Sequence, residues 1–163
     1  MEAYIRKVTE DLPSNMPEPR GNPVTISMFT EAAFAGDLVT RRSQSGSLIF
    51  INRAPITWYS KRQNTVEAST FGSEFIALRV GCEMNDGLRY KLRMIGVPIK
   101  GPINIYYDNE AVVSNSSLAE STLKKTHLSV YYHKTRECYA KGAVQIGYES
   151  TDSNLADTCT KIF

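Results

Sequence analysis

The chain has 163 residues, of which 42% are hydrophobic and 10% aromatic, enough for one domain with a buried core. This composition excludes an intrinsically disordered polypeptide. The formal net charge of +2 is too small to indicate a nucleic-acid partner, so the positions of the charges matter more than their sum.

The cysteines and the apolar runs restrict the compartment. Cys82, Cys138 and Cys159 lie far apart, without the spacing of a zinc site or of a disulfide framework. Their odd number is typical of a reducing compartment, so we expect an intracellular protein, whether cytoplasmic, nuclear or organellar. No apolar run approaches the ~18 residues of a transmembrane helix, which predicts no membrane span.

The first 23 residues predict an extended N-terminal arm. A short helical pattern is followed at residues 12–23 by four prolines and one glycine, which are incompatible with regular secondary structure. We therefore predict an arm over residues 1–23 and one folded domain over residues 24–163.

Three strands are predicted in the first part of that domain. Residues 24–31 alternate between apolar and polar side chains and end on a carboxylate, Glu31. A polar connection over 32–46 follows. Residues 47–51 and 54–59 are two further apolar runs, and the tight Asn52-Arg53 link between them predicts a hairpin.

The remainder predicts helices that alternate with two more strands. Apolar residues at helical spacing predict a long helix over 73–95, with Gly96 and Pro98 as its stop. A strand over 103–108 and a short helix from Asn109 to about 116 come next. Patterns for a helix, a strand and a helix complete the chain at 127–141, 143–148 and 154–161. Consecutive early strands favour an antiparallel meander, and the later alternation favours parallel strands.

The large aromatic side chains lie on these predicted strands and helical faces. We therefore expect Trp58, Tyr106, Tyr107, Tyr131 and Tyr132 to belong mostly to the core.

Four acidic residues occupy the ends of predicted elements. Glu31 and Asp108 end two strands, Glu74 opens the long helix, and Asp157 lies near the start of the last helix. If the two strands are parallel neighbours, their ends lie about 5 Å apart. Four neighbouring carboxylates repel one another unless cations neutralise them, and two divalent ions about 3.5–4 Å apart can direct attack on a phosphodiester. For each acid taken alone, a solvated element end is the alternative.

Seven motifs with ordered spacing resemble the ribonuclease H domain of copia-type retrotransposon polyproteins, over essentially the whole length. The family's Asp-Ala-Asp-aromatic-Ala-Gly-Asp is similar to Glu31-Ala-Ala-Phe-Ala-Gly-Asp37, and the family's Asp-Asn corresponds to Asp108-Asn109. The other matching segments are Thr40-Arg-Arg-Ser-Gln-Ser-Gly46, Trp58 to Thr70, Glu74-Phe-Ile-Ala-Leu78, Tyr132-His-Lys-Thr-Arg-Glu137 and Leu155-Ala-Asp-Thr-Cys-Thr-Lys161.

The resemblance implies an α/β ribonuclease H-like fold: a five-stranded mixed sheet, three antiparallel and then two parallel strands, flanked by helices. It implies an endonuclease that uses two Mg²⁺ ions, or Mn²⁺, to cut the RNA strand of an RNA–DNA hybrid. The family's metal-binding, catalytic quartet corresponds to Glu31, Glu74, Asp108 and Asp157. The hybrid's backbones would contact a set of basic and polar residues, namely Arg41, Arg42, Lys61, Arg62, Asn64, Lys124, Lys125, Lys134 and Arg136.

One member of the quartet departs from the family pattern, because the family has aspartate where this chain has Glu31. The longer side chain shifts a ligand of a metal that tolerates little deviation from octahedral contacts of ~2.0–2.1 Å. The alternative is therefore a catalytically silent, co-opted copy without bound metal, which serves as a nucleic-acid-binding or structural subunit among the proteins of a larger assembly. We expect either a fragment of a polyprotein or a free-standing gene of retrotransposon origin.

Overall fold

A computed structural model describes Glu18, residues 20–117 and residues 129–161. Most of the predicted arm lies outside the described residues, as do Lys124 and Lys125. The described strands are β1 (Ile26–Ala33), β2 (Gln44–Ile51), β3 (Ala54–Arg62), β4 (Ile103–Tyr107) and β5 (Val144–Tyr148). The described helices are α1 (Thr70–Met94), α2 (Glu110–Ser117), α3 (Ser129–Ala140) and α4 (Asp157–Thr160).

The five strands form one mixed sheet in the order β3-β2-β1-β4-β5. β1 pairs antiparallel with β2, and β2 pairs antiparallel with β3. β4 pairs in parallel with both β1 and β5. The predicted mixed sheet, with an antiparallel meander followed by parallel additions, is therefore confirmed. The central position of β1 brings its carboxyl end beside that of β4.

β2 and β3 are longer than their apolar patterns indicate, and β1 is shifted by two residues towards the C-terminus. β1 continues to Ala33, so Glu31 lies inside the strand rather than at its end. β2 begins at Gln44, whose side chain donates to Ser60 Oγ across the pair at 3.0 Å. Polar residues there pair across the strands, and Ser45 is buried although it is polar, so hydrophobic alternation underestimates the lengths of β2 and β3.

The long helix α1 covers one face of the sheet, and its two ends have clear local causes. It begins at Thr70, three residues before the predicted start, because the Ser69 hydroxyl caps it by accepting from Gly72 N at 3.2 Å. It ends at Met94, where Gly96 takes a positive φ of 75° and donates to Arg93 O at 3.0 Å. α1 packs on β1 and β2, and α3 packs on α1.

The short helix α4 lies on the opposite face. Gly46 of β2 approaches it so closely that a Cβ there would stand 2.7 Å from Thr160 Cγ2. The next residue towards the N-terminus, Ser45, accepts from Gln63 Nε2, which also donates to Ser73 O of α1. Because successive strand residues face opposite sides, α1 and α4 enclose the sheet from its two faces.

The aromatic side chains divide between core and surface. Tyr107 and Tyr132 are buried as predicted, at 0% and 3% exposure, and Tyr106 and Tyr131 are half-buried. The prediction for Trp58 is wrong, because its side chain is 73% exposed. Trp58 pairs with Leu48 on the α4 face of β3, an edge strand, and α4 is a single turn that reaches only one end of this face.

Among the described helices, none combines the length and the apolar character that a membrane crossing requires.

Candidate functional site

Two of the four predicted carboxylates lie on neighbouring parallel strands. Phe29 of β1 pairs with Tyr106 of β4, so the same register places Glu31 beside Asp108, which follows β4 directly. Asp108 also accepts a hydrogen bond from Thr151 Oγ1 at 3.2 Å. The parallel pairing predicted from the sequence therefore brings these two acids together.

Glu74 comes from the start of α1 and is 6% exposed. The hydroxyl of Tyr107 donates to Glu74 Oε2 and also lies 3.1 Å from the Glu74 carbonyl oxygen. The sequence marked Tyr107 only as a core residue, and no spacing motif indicates this contact, because it joins β4 to α1.

Asp157 is the first residue of α4, and Lys161 one turn later forms an ion pair with its carboxylate. The i, i+4 spacing of these two residues in the sequence is typical of an ion pair on a helix. The charge of Lys161 also acts on Glu31, so this ammonium group lies near both acids.

The charges of neighbouring acids affect the pKa values of both Glu31 and Glu74. Burial raises the pKa of Glu31 to about 7, and the charges of Asp108 and Asp157 add to the increase. Burial likewise raises the pKa of Glu74 to about 8, with further increases from Asp108 and Glu31 and an opposing effect of the Tyr107 hydrogen bond. The four side chains therefore converge on one end of the sheet.

The donor set fits a hard divalent cation by its chemistry, since every donor is a carboxylate oxygen. Glu31 Oε2 is buried without a hydrogen-bond partner, which is the environment that a bound cation would satisfy. However, no three His, Cys, Asp or Glu side chains of the described residues stand close enough to hold an ion as they are. If Asp157 is to bind such a cation through Oδ2, this atom has to exchange its bond with Lys161.

Four of the predicted nucleic-acid residues share an open groove of about 1060 Å³ beside the carboxyl end of β3. None of the four acids lines it. The Arg62 guanidinium donates to Asp37, whose carboxylate also accepts from Val39 N and Thr40 N, so the β1–β2 loop and β3 are tied together. The predicted residues that line this groove are Arg42, Lys61, Arg62 and Asn64.

The other predicted nucleic-acid residues lie elsewhere. Arg41, in the β1–β2 loop, has a positive φ of 57° and does not line the groove. On α3, Lys134 Nζ lies 3.7 Å from Asp86 Oδ2, and the Arg136 guanidinium packs 5.0 Å from the ring centroid of Tyr132. The structure therefore brings only some of the predicted nucleic-acid residues together in one groove.

Comparison with known proteins identifies relatives among transposon polyproteins. The chain is 31% identical over 143 residues to the retrovirus-related Pol polyprotein from transposon TNT 1-94 of Nicotiana tabacum, covering 87% of this chain and 11% of the polyprotein. It is 27% identical over 142 residues to the corresponding polyprotein from transposon RE2 of Arabidopsis thaliana, covering 87% and 10%. The chain spans about a tenth of the length of these relatives. No model of a known protein family matches it.

Solved structures share the fold at low sequence identity. The N-terminal RNase H domain of Rv2228c from Mycobacterium tuberculosis aligns with a TM-score of 0.65 and 12% identity, over 84% of this chain and 91% of that one. LC11-RNase H1, solved in complex with an RNA/DNA hybrid, aligns with a TM-score of 0.64 and 15% identity, over 83% and 93%. The chain is therefore related to the Pol polyproteins of copia-type retrotransposons, and its fold is the ribonuclease H-like fold that the sequence resemblance predicted.

Proposed function

We propose that this domain hydrolyses the RNA strand of RNA–DNA hybrids with the help of two divalent cations. The observation that carries the proposal is the grouping of Glu31, Glu74, Asp108 and Asp157, which come from four separate parts of the fold, with the charge of Asp108 raising the pKa values of both Glu31 and Glu74. Burial of Glu31 and Glu74 beside Asp108 destabilises the folded state, and a bound cation would offset this destabilisation.

Glu31, Glu74, Asp108 and Asp157 would hold Mg²⁺, or Mn²⁺ in its place. The ions would supply an activated water and a stabilised leaving oxygen. Glu31 and Asp108 approach from the sheet, Glu74 from the helix on one face and Asp157 from the helix on the other.

The groove beside β3 would hold the phosphates of the hybrid. Arg42 and Lys61 supply charge, Asn64 supplies an amide donor, and Asp37 fixes the direction of the Arg62 guanidinium. The hybrid complex of LC11-RNase H1 supports this class of substrate by analogy of fold. Arg41, Lys134 and Arg136 would extend the contact, together with Lys124 and Lys125 outside the described residues.

The division of the chain and its place in the cell belong to the same proposal. Residues 1–23 would form an arm ahead of a domain over 24–163. The reaction would take place inside the cell, where hybrids of this kind arise during reverse transcription.

Cleavage of an end-labelled RNA–DNA hybrid tests the proposal. The full chain should cut the RNA strand only when Mg²⁺ or Mn²⁺ is present, and Asp108→Asn should lose this activity while it retains its fold by circular dichroism. RNA duplex and DNA duplex of the same sequence serve as substrate controls. If the folded chain cuts no hybrid with either metal, the proposal is wrong.

A second candidate function is a catalytically silent subunit that binds nucleic acid or other proteins. The specific observation in its favour is that the described acids form no ready three-ligand group and that Asp157 is paired with Lys161. Hybrid binding that is indifferent to divalent cations, without cleavage, would favour this role over the nuclease.

A further inference from the structure

Tyr107 is a neutral side chain that joins two of the elements carrying the acids. It ends β4, directly before Asp108, and is 0% exposed. Its hydroxyl reaches across to α1 and donates to the Glu74 carboxylate. The end of β4 therefore brings together Asp108, an acid of the site, and Tyr107, which contacts Glu74, an acid from α1.

This contact restricts the Glu74 side chain, together with the hydrogen bond that the Ala32 backbone makes to the same carboxylate. Glutamate has three rotatable bonds, and Glu74, at 6% exposure, has little water to solvate it. The Tyr107 hydroxyl also lies 3.1 Å from the Glu74 carbonyl oxygen, so it fixes the carboxylate relative to the backbone of α1. A carboxylate offers about four acceptor positions, so this donor leaves others available to a cation.

We propose that Tyr107 is a positioning residue that holds the Glu74 carboxylate ready for a divalent cation shared with Asp108 and Glu31. This inference rests on the proposed function. Hydrogen-bond donors behind a metal-binding side chain orient it, and their removal typically lowers metal affinity about 10–100-fold. Tyr107 acts through Glu74 and contacts neither cation nor substrate.

The test is the affinity of the full chain for Mn²⁺, followed by electron paramagnetic resonance of the free ion. Tyr107→Phe keeps the aromatic ring and removes only the hydroxyl, so we expect affinity to fall at least about 10-fold. Tyr107→Met, which fills the space with a flexible apolar chain, provides a second variant without the hydroxyl if the first folds poorly.

Ile105→Val is the matched control, because Ile105 is also fully buried on β4 and its side chain has no hydrogen-bond donor to offer Glu74. It should lower thermal stability and leave Mn²⁺ affinity within about twofold of the wild type. The inference is overturned if Tyr107→Phe binds Mn²⁺ like the wild type, or if Ile105→Val loses as much affinity. If the wild type itself binds no Mn²⁺, the proposed metal site fails first, and the role of Tyr107 fails with it.

Discussion

Glu31 is the residue on which the chemistry of the site depends most. It lies beside Asp108 in the parallel register, and its Oε2 atom is buried without a partner. Its side chain is longer than the aspartate of the resembled family by one C–C bond, about 1.5 Å. The same position therefore combines the raised pKa of about 7 with an altered reach towards a cation.

Shortening this side chain should improve catalysis. We expect Glu31→Asp to increase the initial rate of hybrid cleavage with Mg²⁺ on the order of 100-fold, because a displacement of ~1 Å at a reacting centre has an effect of that size. Rates of the two proteins at equal concentration measure the change, with Asp108→Asn as the background. An equal or lower rate for Glu31→Asp would show that the glutamate is not the limiting defect.

Lys161 occupies the position of a counter-ion for the acids. Its ammonium group pairs with Asp157 and lowers the pKa of Glu31. We expect Lys161→Met to raise Mn²⁺ affinity several-fold, because the cation no longer competes with an ammonium group for Asp157. Lys141→Met is the matched control, since Lys141 forms the same i, i+4 pair with Glu137 on α3. Equal affinity of the two variants would contradict this prediction.

The buried acids should make the metal-free protein less stable as the pH rises. The pKa of Glu74 is raised from 4.5 to about 8 in the folded state. Between those values the unfolded chain has released the proton and the folded chain retains it, so the free energy of unfolding falls with rising pH. Above pH 8 both states are ionised and the loss is complete, at a few kcal/mol by order of magnitude.

Thermal unfolding with EDTA between pH 5 and pH 9 measures this dependence. Glu74→Gln should flatten the decline of the melting temperature between about pH 4.5 and 8, because the amide does not ionise. Glu83→Gln, on an exposed position of the same helix, should leave the slope unchanged. A residual slope in Glu74→Gln is expected from Glu31, whose pKa is raised to about 7, whereas an undiminished slope assigns the pH dependence to another group.

Among the elements, α4 is the smallest and carries one quarter of the acid quartet. It is a single turn, Asp157–Thr160, too short to be stable without tertiary contacts. Its place is set by Gly46 of β2, where a Cβ would stand 2.7 Å from Thr160 Cγ2 and 3.0 Å from Ala156 O. The absence of a side chain at Gly46 therefore determines how closely α4 approaches β2, and with it where Asp157 lies.

Adding a methyl group at this point should displace α4. We expect Gly46→Ala to destabilise the protein by about 1–3 kcal/mol and to weaken Mn²⁺ binding, because the new Cβ overlaps helix backbone and side chains. Gly87→Ala is the control, as a Cβ inside α1 at that position meets nothing within 4 Å and should stabilise the helix by about 0.5–1 kcal/mol. Denaturant unfolding and Mn²⁺ titration of both variants provide the measurements.

Charge across the entire surface is nearly balanced, at +2, so hybrid binding depends on the local arrangement of cations. The groove beside β3 is lined by Arg42, Lys61 and Arg62, while the four acids of the quartet lie outside it. This separation would place phosphate contacts and hydrolysis at different positions along the duplex.

The salt dependence of hybrid binding should report on this groove. Arg42→Ala and Lys61→Ala should each reduce the slope of log affinity against log salt by about 1, because each removes one phosphate contact. Arg53→Ala, in the β2–β3 turn at the other end of the hairpin, should not change the slope. Unchanged slopes for both groove variants would show that the duplex lies elsewhere.

The elements and the order of the motifs could be predicted because their causes are local. Apolar periodicity, the capping of α2 by Asn109, whose Oδ1 accepts from Val112 N at 3.2 Å, and the stop at Gly96 all depend on neighbouring residues. Strand lengths were underestimated where Gln44 pairs with Ser60 across strands. The prediction that Trp58 belongs to the core was wrong because the exposure of its side chain depends on how far α4 extends over the sheet.

The sequence by itself determined the family resemblance, the sequence of strands and helices and the four candidate acids, because residue type and spacing are written along the chain. Only the tertiary structure decided the long-range partners of those acids: Tyr107 for Glu74, Thr151 for Asp108 and none for Glu31 Oε2. The physical reason is that burial and the charges of spatial neighbours set the state of a carboxylate, and most of those neighbours are distant in sequence.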